Sequence, residues 1–415
     1  MATSPHLTVI TLTTSAFTKG IDILGTGDCT HPAWYAELRE HLEPAEPGMY
    51  RLKEAFLKPL MQDIPDSCKN REIRFVPTVE ISTIFTRENR VRKIHSVVVL
   101  SDLALIEPLQ NAYARFGNLE VDGRPTLLAD IKDIMDITLT VDPLSLFIPA
   151  HIWTPWFGVF GSKAGFDSLE EAFGPLAQYV YAIESGLDSD PGMNHHASDV
   201  GTRSILSHSD AHSSQKLGRE ATIFDIDFSY PELYNAIKTN NDALIGTIEF
   251  FPEEGKYHFD GHRKCDICIS PQESRSMKNV CPVCGKALTL GVQNRVEKLT
   301  HEPSADPVPM KTVEYIVPLS EIFMEIHGVK SSTSQSVQNS YTKAIALFGN
   351  EFDILRTVSI DDIATAGFPE LSRALSSMRN KNVSVTPGYD GVFGKVNLLG
   401  GNHTLKESPQ LSLDL

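Results

Sequence analysis

The sequence predicts an α/β fold in which short strands alternate with helices over residues 1–255. Apolar segments of strand length recur along this region, with helical segments between them. A histidine or an acidic residue stands in or directly after at least five of these segments. Because the carboxyl ends of parallel strands meet at one edge of a sheet, these side chains are expected to converge. We therefore expect a parallel sheet, open or closed as a barrel, with metal ions at its mouth.

Composition and charge are those of a globular protein that is too long for one core. The chain has 415 residues, 41% hydrophobic and 22% charged, so two or three domains are expected. The net charge of −16 argues against a protein that coats nucleic acid, although residues 263–299 carry a local excess of basic side chains. We find no signal peptide and no apolar run of about 18 residues, so we expect a cytoplasmic protein without a membrane span.

The first predicted strands lead to acidic and histidine side chains. A strand over residues 21–24 precedes the segment GTGDCTHP, in which Asp28 and His31 lie before a helix over 33–41. Either residue alone is typical of a helix cap, whereas the spacing D-x-x-H favours a pair of metal ligands. A second strand, over 72–79, ends at Glu80, whose carboxylate needs a partner at the end of an apolar strand.

Three more histidines fit the same pattern. His95 lies in a predicted strand over residues 92–100, where a lone histidine is more often a satisfied core residue. His151 ends a strand over 145–151. The segment GTRSILSHSDAH contains an apolar run and then His208, Asp210 and His212. In an extended strand these three side chains would point to one face, although a polar turn explains them as well. Further strands are predicted over residues 179–183 and 245–250.

Four cysteines predict a structural zinc site. Two C-x-x-C pairs are separated by twelve residues and comprise Cys265, Cys268, Cys281 and Cys284. Four thiolates satisfy tetrahedral zinc and leave no position for catalysis, whereas a redox dithiol would need only one pair. The other two cysteines are expected to be ordinary thiols.

Aromatic side chains in two loops are candidates for contact with nucleic acid. The loop after His151 carries Trp153 and Trp156, which could stack on a base or line a pocket. Helices are predicted from about residue 318 to 379, and a glycine-rich loop with Tyr389 and Lys395 follows them. That loop lacks the phosphate-binding pattern G-x-x-x-x-G-K-[ST].

The segments GTGDCTHP, PTVEIS, KIHSVVVL, IPAHIWTPWFG and SHSDAHSSQKLGREA resemble successive motifs of the PHP (polymerase and histidinol phosphatase) superfamily. The resemblance implies a distorted (βα)7 barrel with two to three zinc or manganese ions, or magnesium, that hydrolyses phosphoesters. Within the superfamily the chain resembles the endonuclease Q family, which nicks DNA 5′ to deaminated bases (uracil, hypoxanthine, xanthine) and abasic sites. That similarity implies four regions: a barrel over 1–255, a zinc module over 256–305, a helical DNA-binding domain over 306–400 and a tail over 401–415.

The resemblance also implies roles for individual residues. Glu80, His95 and His151 would share one metal ion, and His31 and His212 would hold a second. Asp210 would hold an ion with Glu80 as a bridge, which makes Asp210, Glu80 and His212 the candidate catalytic residues. Asp28 would be a ligand or a hydrogen-bond partner of one. DNA with deaminated bases is the implied partner, and the chain is expected to act as a monomer.

One motif of the superfamily has no counterpart in the sequence. The first barrel strand normally carries H-x-H, whereas His6 is the only histidine before His31. We therefore expect a gap in the sheet with one unpaired strand edge, and low nuclease activity. Two alternatives stay open, namely a phosphatase of this superfamily acting on a small phosphomonoester, and a non-catalytic DNA-binding protein.

The C-terminal tail resembles the short peptides by which bacterial repair proteins dock on the sliding clamp. Its candidate contacts are Gln410, Leu411, Leu413 and Leu415. The alternative is an amphipathic tail that folds back on the helical domain.

Overall fold

Strands and helices alternate through the first part of the chain, as the sequence predicts. The computed structural model describes residues 6–195, 200–201, 203–300 and 310–400. Its first twelve strands are β1 Ile23–Gly25, β2 Leu42–Pro44, β3 Tyr50–Leu52, β4 Arg74–Val76, β5 Thr78–Arg87, β6 Arg90–Val99, β7 Thr126–Leu127, β8 Leu146–Pro149, β9 Ala182–Glu184, β10 Ser204–Leu206, β11 Ala221–Phe224 and β12 Leu244–Glu249. The helices among them are α1 Val9–Lys19, α2 Pro32–His41, α3 Glu54–Asp63, α4 Ile106–Tyr113, α5 Ile131–Val141, α6 Leu169–Phe173, α7 Pro191–His195 and α8 Tyr230–Thr239.

The strands mix parallel and antiparallel pairing, so the expectation of a purely parallel sheet is wrong. β5 and β6 form a long antiparallel hairpin, and its turn places Glu88 and Asn89 at positive φ, as a tight hairpin turn requires. β8 adds antiparallel to β6, whereas β1 pairs parallel with β4 and β9 pairs parallel with β10. The predicted strand over 72–79 is divided at Pro77, which lies between β4 and β5. Glu80 therefore lies inside β5 and not at a strand end.

A gap separates two strand edges that face one cavity. Among the described residues, β1 pairs only with β4, and β11 pairs only with β12. A cavity of about 1020 Å³ is lined by residues of both strands, and its apolar lining includes Ile23, Val97, Leu146, Ile148 and Phe224. The expected unpaired strand edge is present in the described part of the chain.

The remaining elements cover this region and extend it. They are the strands β13 Asp260–His262, β14 Ile267–Ile269, β15 Thr312–Tyr315, β16 Ser384–Thr386 and β17 Lys395–Asn397, and the helices α9 Pro271–Ser276, α10 Val292–Leu299, α11 Leu319–His327, α12 Gln335–Phe348, α13 Glu351–Arg356, α14 Ile360–Thr365 and α15 Pro369–Arg379. β15 pairs parallel with β12, and a buried ion pair of 2.6 Å joins Lys19 of α1 to Glu351 of α13. The predicted helical region is thus packed against the strands and not separate from them.

Two buried polar residues fix the segment around the cysteines to the rest of the molecule. Asp260 accepts hydrogen bonds from the backbone N–H of Gly291 (2.6 Å) and from the side chain of Asn294 (2.5 Å). Arg295 of α10 donates to the carbonyl oxygens of Phe160 and Phe166 at 2.8 and 2.9 Å. Each bond satisfies a group that would otherwise be buried without a partner. In the described part of the chain no helix is long and apolar enough to cross a membrane.

Candidate metal centre

Three predicted ligands meet at one point at the edge of the cavity. Glu80 of β5, His95 of β6 and His151, two residues after β8, each offer one ligand atom to a common position. Oε1 of Glu80 lies 3.3 Å from Nδ1 of His95 and 3.3 Å from Nε2 of His151, and the two nitrogens are 3.2 Å apart. Ligand atoms around a tetrahedral ion with bonds of about 2.1 Å lie about 3.4 Å apart, so the spacing suits a metal ion.

The electrostatics of this group also fit a cation. Oε1 of Glu80 is buried and receives no hydrogen bond of good geometry from the described residues. Burial raises the pKa of Glu80, but the contacts with His151 and His95 and the charge of Arg124 outweigh it and hold the pKa well below its ordinary value. Glu80 is therefore ionised at neutral pH, and its oxygen is available to a positive charge.

The two imidazoles differ in their affinity for a proton. Burial lowers the pKa of His95 to about 4, and the charge of His151 adds to that effect. Burial also disfavours charge on His151, but the neighbouring carboxylates of Glu80, Glu184 and Asp210 outweigh it and raise the pKa to about 9. His95 is thus neutral at pH 7 and can donate a lone pair, as a metal ligand must.

Backbone strain accompanies three of the predicted ligands. Asp28, His151 and Asp210 have φ angles of 40°, 30° and 42°, in the left-handed region that costs a residue with a side chain about 1–3 kcal/mol. At His151 the chain passes so close to Gly186 that a Cβ on that glycine would lie 2.5 Å from the Cβ of His151. Asp210 lies beyond β10, so the expectation that His208, Asp210 and His212 alternate along a strand is wrong.

The other predicted ligands line the same cavity as Glu80. Asp28, His31, Asp210 and His212 are all part of its wall. His31 caps α2, where its Nδ1 accepts a hydrogen bond from the backbone N–H of Trp34, and Nδ1 of His212 lies 2.9 Å from the carbonyl oxygen of Asp210. Among the described residues predicted to bind metal in the barrel, only Glu80, His95 and His151 bring three ligand atoms together. Metal binding by the other four therefore stays a prediction.

Two residues that we did not select from the sequence complete the site. Arg124 contacts Oε2 of Glu80 through Nε at 2.5 Å and Oδ1 of Asp210 through Nη2 at 2.6 Å. Glu184, at the end of β9, accepts a hydrogen bond from the backbone N–H of His151 (2.7 Å) and lies 2.8 Å from Nδ1 of His208. Glu184 directly follows the apolar run of the strand predicted over 179–183, a pattern like that used for the selected residues, whereas no pattern in the sequence points to Arg124.

The cysteine cluster differs from the prediction in one ligand. His262, Cys265, Cys281 and Cys284 bring their ligand atoms within 4.8 Å of one another, and Cys268 is not part of this group. The reason lies in the hairpin of β13 and β14, where His262 pairs with Ile267 and Gly261 pairs with Cys268. Cross-strand partners share a face, so Cys268 points away from His262 and its Sγ lies 3.8 Å from the carbonyl oxygen of Pro387.

The corrected set has the chemistry of a zinc site. Three thiols and one imidazole are an established ligand combination for structural zinc. Burial raises the pKa of Cys281, but backbone N–H groups of Cys284 and Val283 outweigh it and lower the pKa to about 6. A thiol that ionises so readily is prepared to bind a metal. Zinc itself stays a proposal for this site.

The aromatic candidates have unequal access to solvent. Trp153 is 1% exposed and its indole N–H donates to Asn194, so its predicted role in contacting DNA is wrong because the ring belongs to the core. Trp156 is half-buried and packs edge-on against Tyr257, with ring centres 5.2 Å apart. Tyr389 is half-buried and donates a hydrogen bond of 2.6 Å to Asp266, whereas Lys395 is exposed in β17.

Phe393 is a further aromatic candidate on the glycine-rich loop. Phe393 is 63% exposed, and the centre of its ring lies 4.5 Å from Nζ of Lys256. Two backbone hydrogen bonds hold the loop against the preceding segment. The N–H groups of Gly388 and Gly394 donate to the carbonyl oxygens of Glu253 and Glu254 at 2.8 and 3.0 Å. The loop thus presents an exposed aromatic ring beside the half-buried Lys256, and the exposed Lys395 follows two residues later. The candidate clamp contacts, Gln410, Leu411, Leu413 and Leu415, lie outside the described residues.

Comparisons with known sequences find relatives of the whole chain and of its C-terminal part. A family model described as the MJ0043 C-terminal domain matches residues 318–382. The protein YqxK of Bacillus subtilis is 28% identical over 385 residues, which cover 91% of this chain and 89% of YqxK. The protein MJ0043 of Methanocaldococcus jannaschii is 27% identical over 254 residues, or 59% of this chain. The match spans only 31% of MJ0043.

Solved structures similar to this chain cover almost all of it. The lesion-specific endonuclease PfuEndoQ of Pyrococcus furiosus superposes with a TM-score of 0.80 and 26% identity, over 97% of this chain and 94% of PfuEndoQ. An endonuclease Q bound to a 27-mer duplex with an abasic lesion at the active site gives a TM-score of 0.81 and 25% identity, over 98% of this chain and 96% of that protein. The resemblance to endonuclease Q is therefore confirmed, and the chain has the mixed α/β fold of the endonuclease Q structures over nearly its whole length.

Proposed function

We propose that this chain is a metal-dependent DNA repair endonuclease, which hydrolyses the phosphodiester 5′ to deaminated bases or abasic sites. One observation carries the proposal, namely the similarity over 97–98% of the chain to a lesion-specific endonuclease and to an endonuclease–DNA complex. Structural similarity alone does not determine chemistry, so the proposal also depends on the side chains in the cavity.

The side chains that support hydrolysis are those around Glu80. Glu80, His95 and His151 would hold a divalent ion (zinc, manganese or magnesium), and an ion bound there would supply Lewis acidity and a more acidic water. His95 is neutral at pH 7 and Glu80 is ionised, so both are in the form that binds a cation. Asp210 and His212, which line the cavity beside Glu80, are our candidates for proton transfer, and they would be the ligands of a second ion wherever one binds.

The surface that would contact DNA lies on the glycine-rich loop. An exposed ring next to lysines can stack on a base while the lysines bind the backbone phosphates. Phe393, Lys256 and Lys395 offer this combination, and Trp156 and Tyr389 are the remaining aromatic candidates. A damaged base leaves the stack more easily than an intact one, so binding that requires unstacking favours damaged duplex over intact duplex.

Phe393→Ala is expected to weaken binding to duplex DNA with an abasic site by about 5- to 150-fold, since stacking on an aromatic ring contributes about 1–3 kcal/mol. Fluorescence anisotropy with a labelled duplex measures the affinity. Leu128→Ala is the matched control, because Leu128 is an apolar side chain of similar exposure, 70%, far along the chain from this loop. Equal affinity of the Phe393→Ala variant and the native chain would remove the ring from the interface.

A substrate panel tests the proposed reaction. The chain with Mn²⁺ is incubated with duplexes containing one uracil, hypoxanthine, xanthine or abasic site, with undamaged duplex, and with histidinol phosphate. We expect nicks in the damaged duplexes, and no reaction with undamaged duplex or with histidinol phosphate. Release of phosphate from histidinol phosphate without nicking would favour the phosphatase, and lesion binding without either reaction would favour the non-catalytic protein.

The tail is a separate part of the proposal. We expect residues 410–415 to dock weakly on a bacterial sliding clamp, since ordering a short segment on binding costs free energy, and to tether the enzyme near DNA. Titration of the clamp with the intact chain and with a chain ending at Ser408 tests this. Equal binding by both, or binding by neither, would exclude a clamp motif in the tail.

A further inference from the structure

Arg124 occupies an unusual place in the candidate metal centre. Its guanidinium lies between two carboxylates from distant parts of the chain. Nε is 2.5 Å from Oε2 of Glu80, and Nη2 is 2.6 Å from Oδ1 of Asp210. All three side chains are largely removed from solvent, with exposed fractions of 17%, 19% and 27% for Arg124, Glu80 and Asp210. The contact with Asp210 is a charge-assisted hydrogen bond, which is strong at a partly buried position, and the contact with Glu80 is a short ion pair.

The position of Arg124 is set by its backbone. The preceding residue, Gly123, has a φ of 80°, which turns the loop, and the carbonyl oxygen of the following Pro125 accepts a hydrogen bond of 2.9 Å from the N–H of Ser82. Ser82 lies two residues after Glu80 in β5. The loop is therefore fixed to the same strand that carries Glu80, and the arginine enters the cavity from a defined direction.

The charges around Arg124 explain why a cation belongs there. Asp28, Glu80 and Asp210 line one cavity, and three partly buried carboxylates repel one another unless positive charge lies between them. Burial and the charge of Glu80 raise the pKa values of Asp28 and Asp210, and Arg124 opposes both effects. A divalent ion could neutralise the same carboxylates, so Arg124 and such an ion would need the same oxygen atoms.

We propose that Arg124 is a built-in cation that holds Oε2 of Glu80 and the carboxylate of Asp210 in place of a metal ion. Oε1 of Glu80, His95 and His151 remain available, because Arg124 contacts the other oxygen of Glu80. The chain then binds one ion at these three residues, and an ion at Asp210 binds only when Arg124 is removed or displaced. This inference depends on the proposed metal centre and specifies how many ions it holds.

Counting manganese ions tests the inference without any measurement of nicking. The native chain, Arg124→Ala, Arg124→Gln and Arg124→Lys are stripped, loaded with Mn²⁺ and dialysed, and bound manganese is measured together with zinc. We expect about one manganese ion per native chain and about two in Arg124→Ala and Arg124→Gln, because the competing positive charge is gone. Arg124→Lys keeps the charge and should resemble the native chain. Arg115→Ala is the control, an exposed arginine on the segment before the loop.

A second substitution shows where the additional ion binds. Asp210→Asn in the Arg124→Ala background should return the count to about one, since it removes the carboxylate that Arg124 had held. Thermal unfolding of each variant identifies any that do not fold, and Arg124→Gln, which preserves much of the side-chain volume, replaces Arg124→Ala in that case. An unchanged count in folded Arg124→Ala and Arg124→Gln, or an additional ion that survives Asp210→Asn, would overturn the inference. A native chain that binds no manganese would instead contradict the proposed metal centre.

Discussion

Glu80→Gln is expected to abolish metal binding in the cavity and nicking with it. The substitution preserves the shape of the side chain but removes the charge that faces His95, His151 and Arg124 at 2.5–3.3 Å. Loss of a residue that only supports a metal ligand costs about 10- to 100-fold in metal affinity, so loss of a ligand carboxylate should cost about 100-fold or more. Calorimetric titration with Mn²⁺ measures the affinity, and a single-turnover assay on abasic duplex measures cleavage.

The control for Glu80→Gln is Glu120→Gln, which changes an exposed carboxylate in the loop that leads to Arg124. It should leave both metal affinity and cleavage as they are in the native chain. If Glu80→Gln bound manganese as tightly as the native chain, Glu80 would not be a ligand, and the group formed with His95 and His151 would have another purpose.

Cys281→Ser is expected to release about one equivalent of zinc and to unfold the segment around β13 and β14, because a structural zinc site supplies folding free energy. His262→Ala should have the same effect, since its imidazole lies 3.4 Å from Sγ of Cys284 inside the ligand group. Zinc content by mass spectrometry and the thermal unfolding curve measure the two effects.

Cys268→Ser distinguishes the structural ligand set from the one that the sequence suggests. Cys268 lies on the opposite face of the hairpin, so its substitution should leave zinc content unchanged. Loss of zinc in Cys268→Ser together with retention in His262→Ala would restore the four-cysteine site.

The sequence predicted the residues of the metal centre better than it predicted their geometry. The recurrence of histidine and acidic residues beside apolar segments identified Glu80, His95 and His151, which the structure brings together. That signal depends only on chain order. It does not reveal that Glu80 lies inside β5, or that Asp210 follows β10 with a φ of 42°, because both depend on long-range pairing of strands.

The errors have similar physical causes. The spacing C-x-x-C is visible in the sequence, but the face on which Cys268 lies depends on a hairpin register that the spacing does not determine. Trp153 is a candidate for stacking on a base from the sequence, yet its ring is buried and Asn194 accepts the hydrogen bond of its N–H group. Arg124 could not be selected, since a lone arginine in a loop has no recognisable pattern and its importance depends entirely on its two partners.

The most direct test of the account is to map the nick in a duplex that carries one abasic site. The chain in excess over DNA is incubated with Mn²⁺ or with a chelator, and both strands are analysed at single-nucleotide resolution over long times, so that slow cleavage is detected. We expect one nick on the damaged strand, immediately 5′ to the lesion, which requires the metal and disappears in Glu80→Gln. Cleavage that ignores the lesion, or no cleavage by a chain that binds both manganese and the abasic duplex, would contradict it.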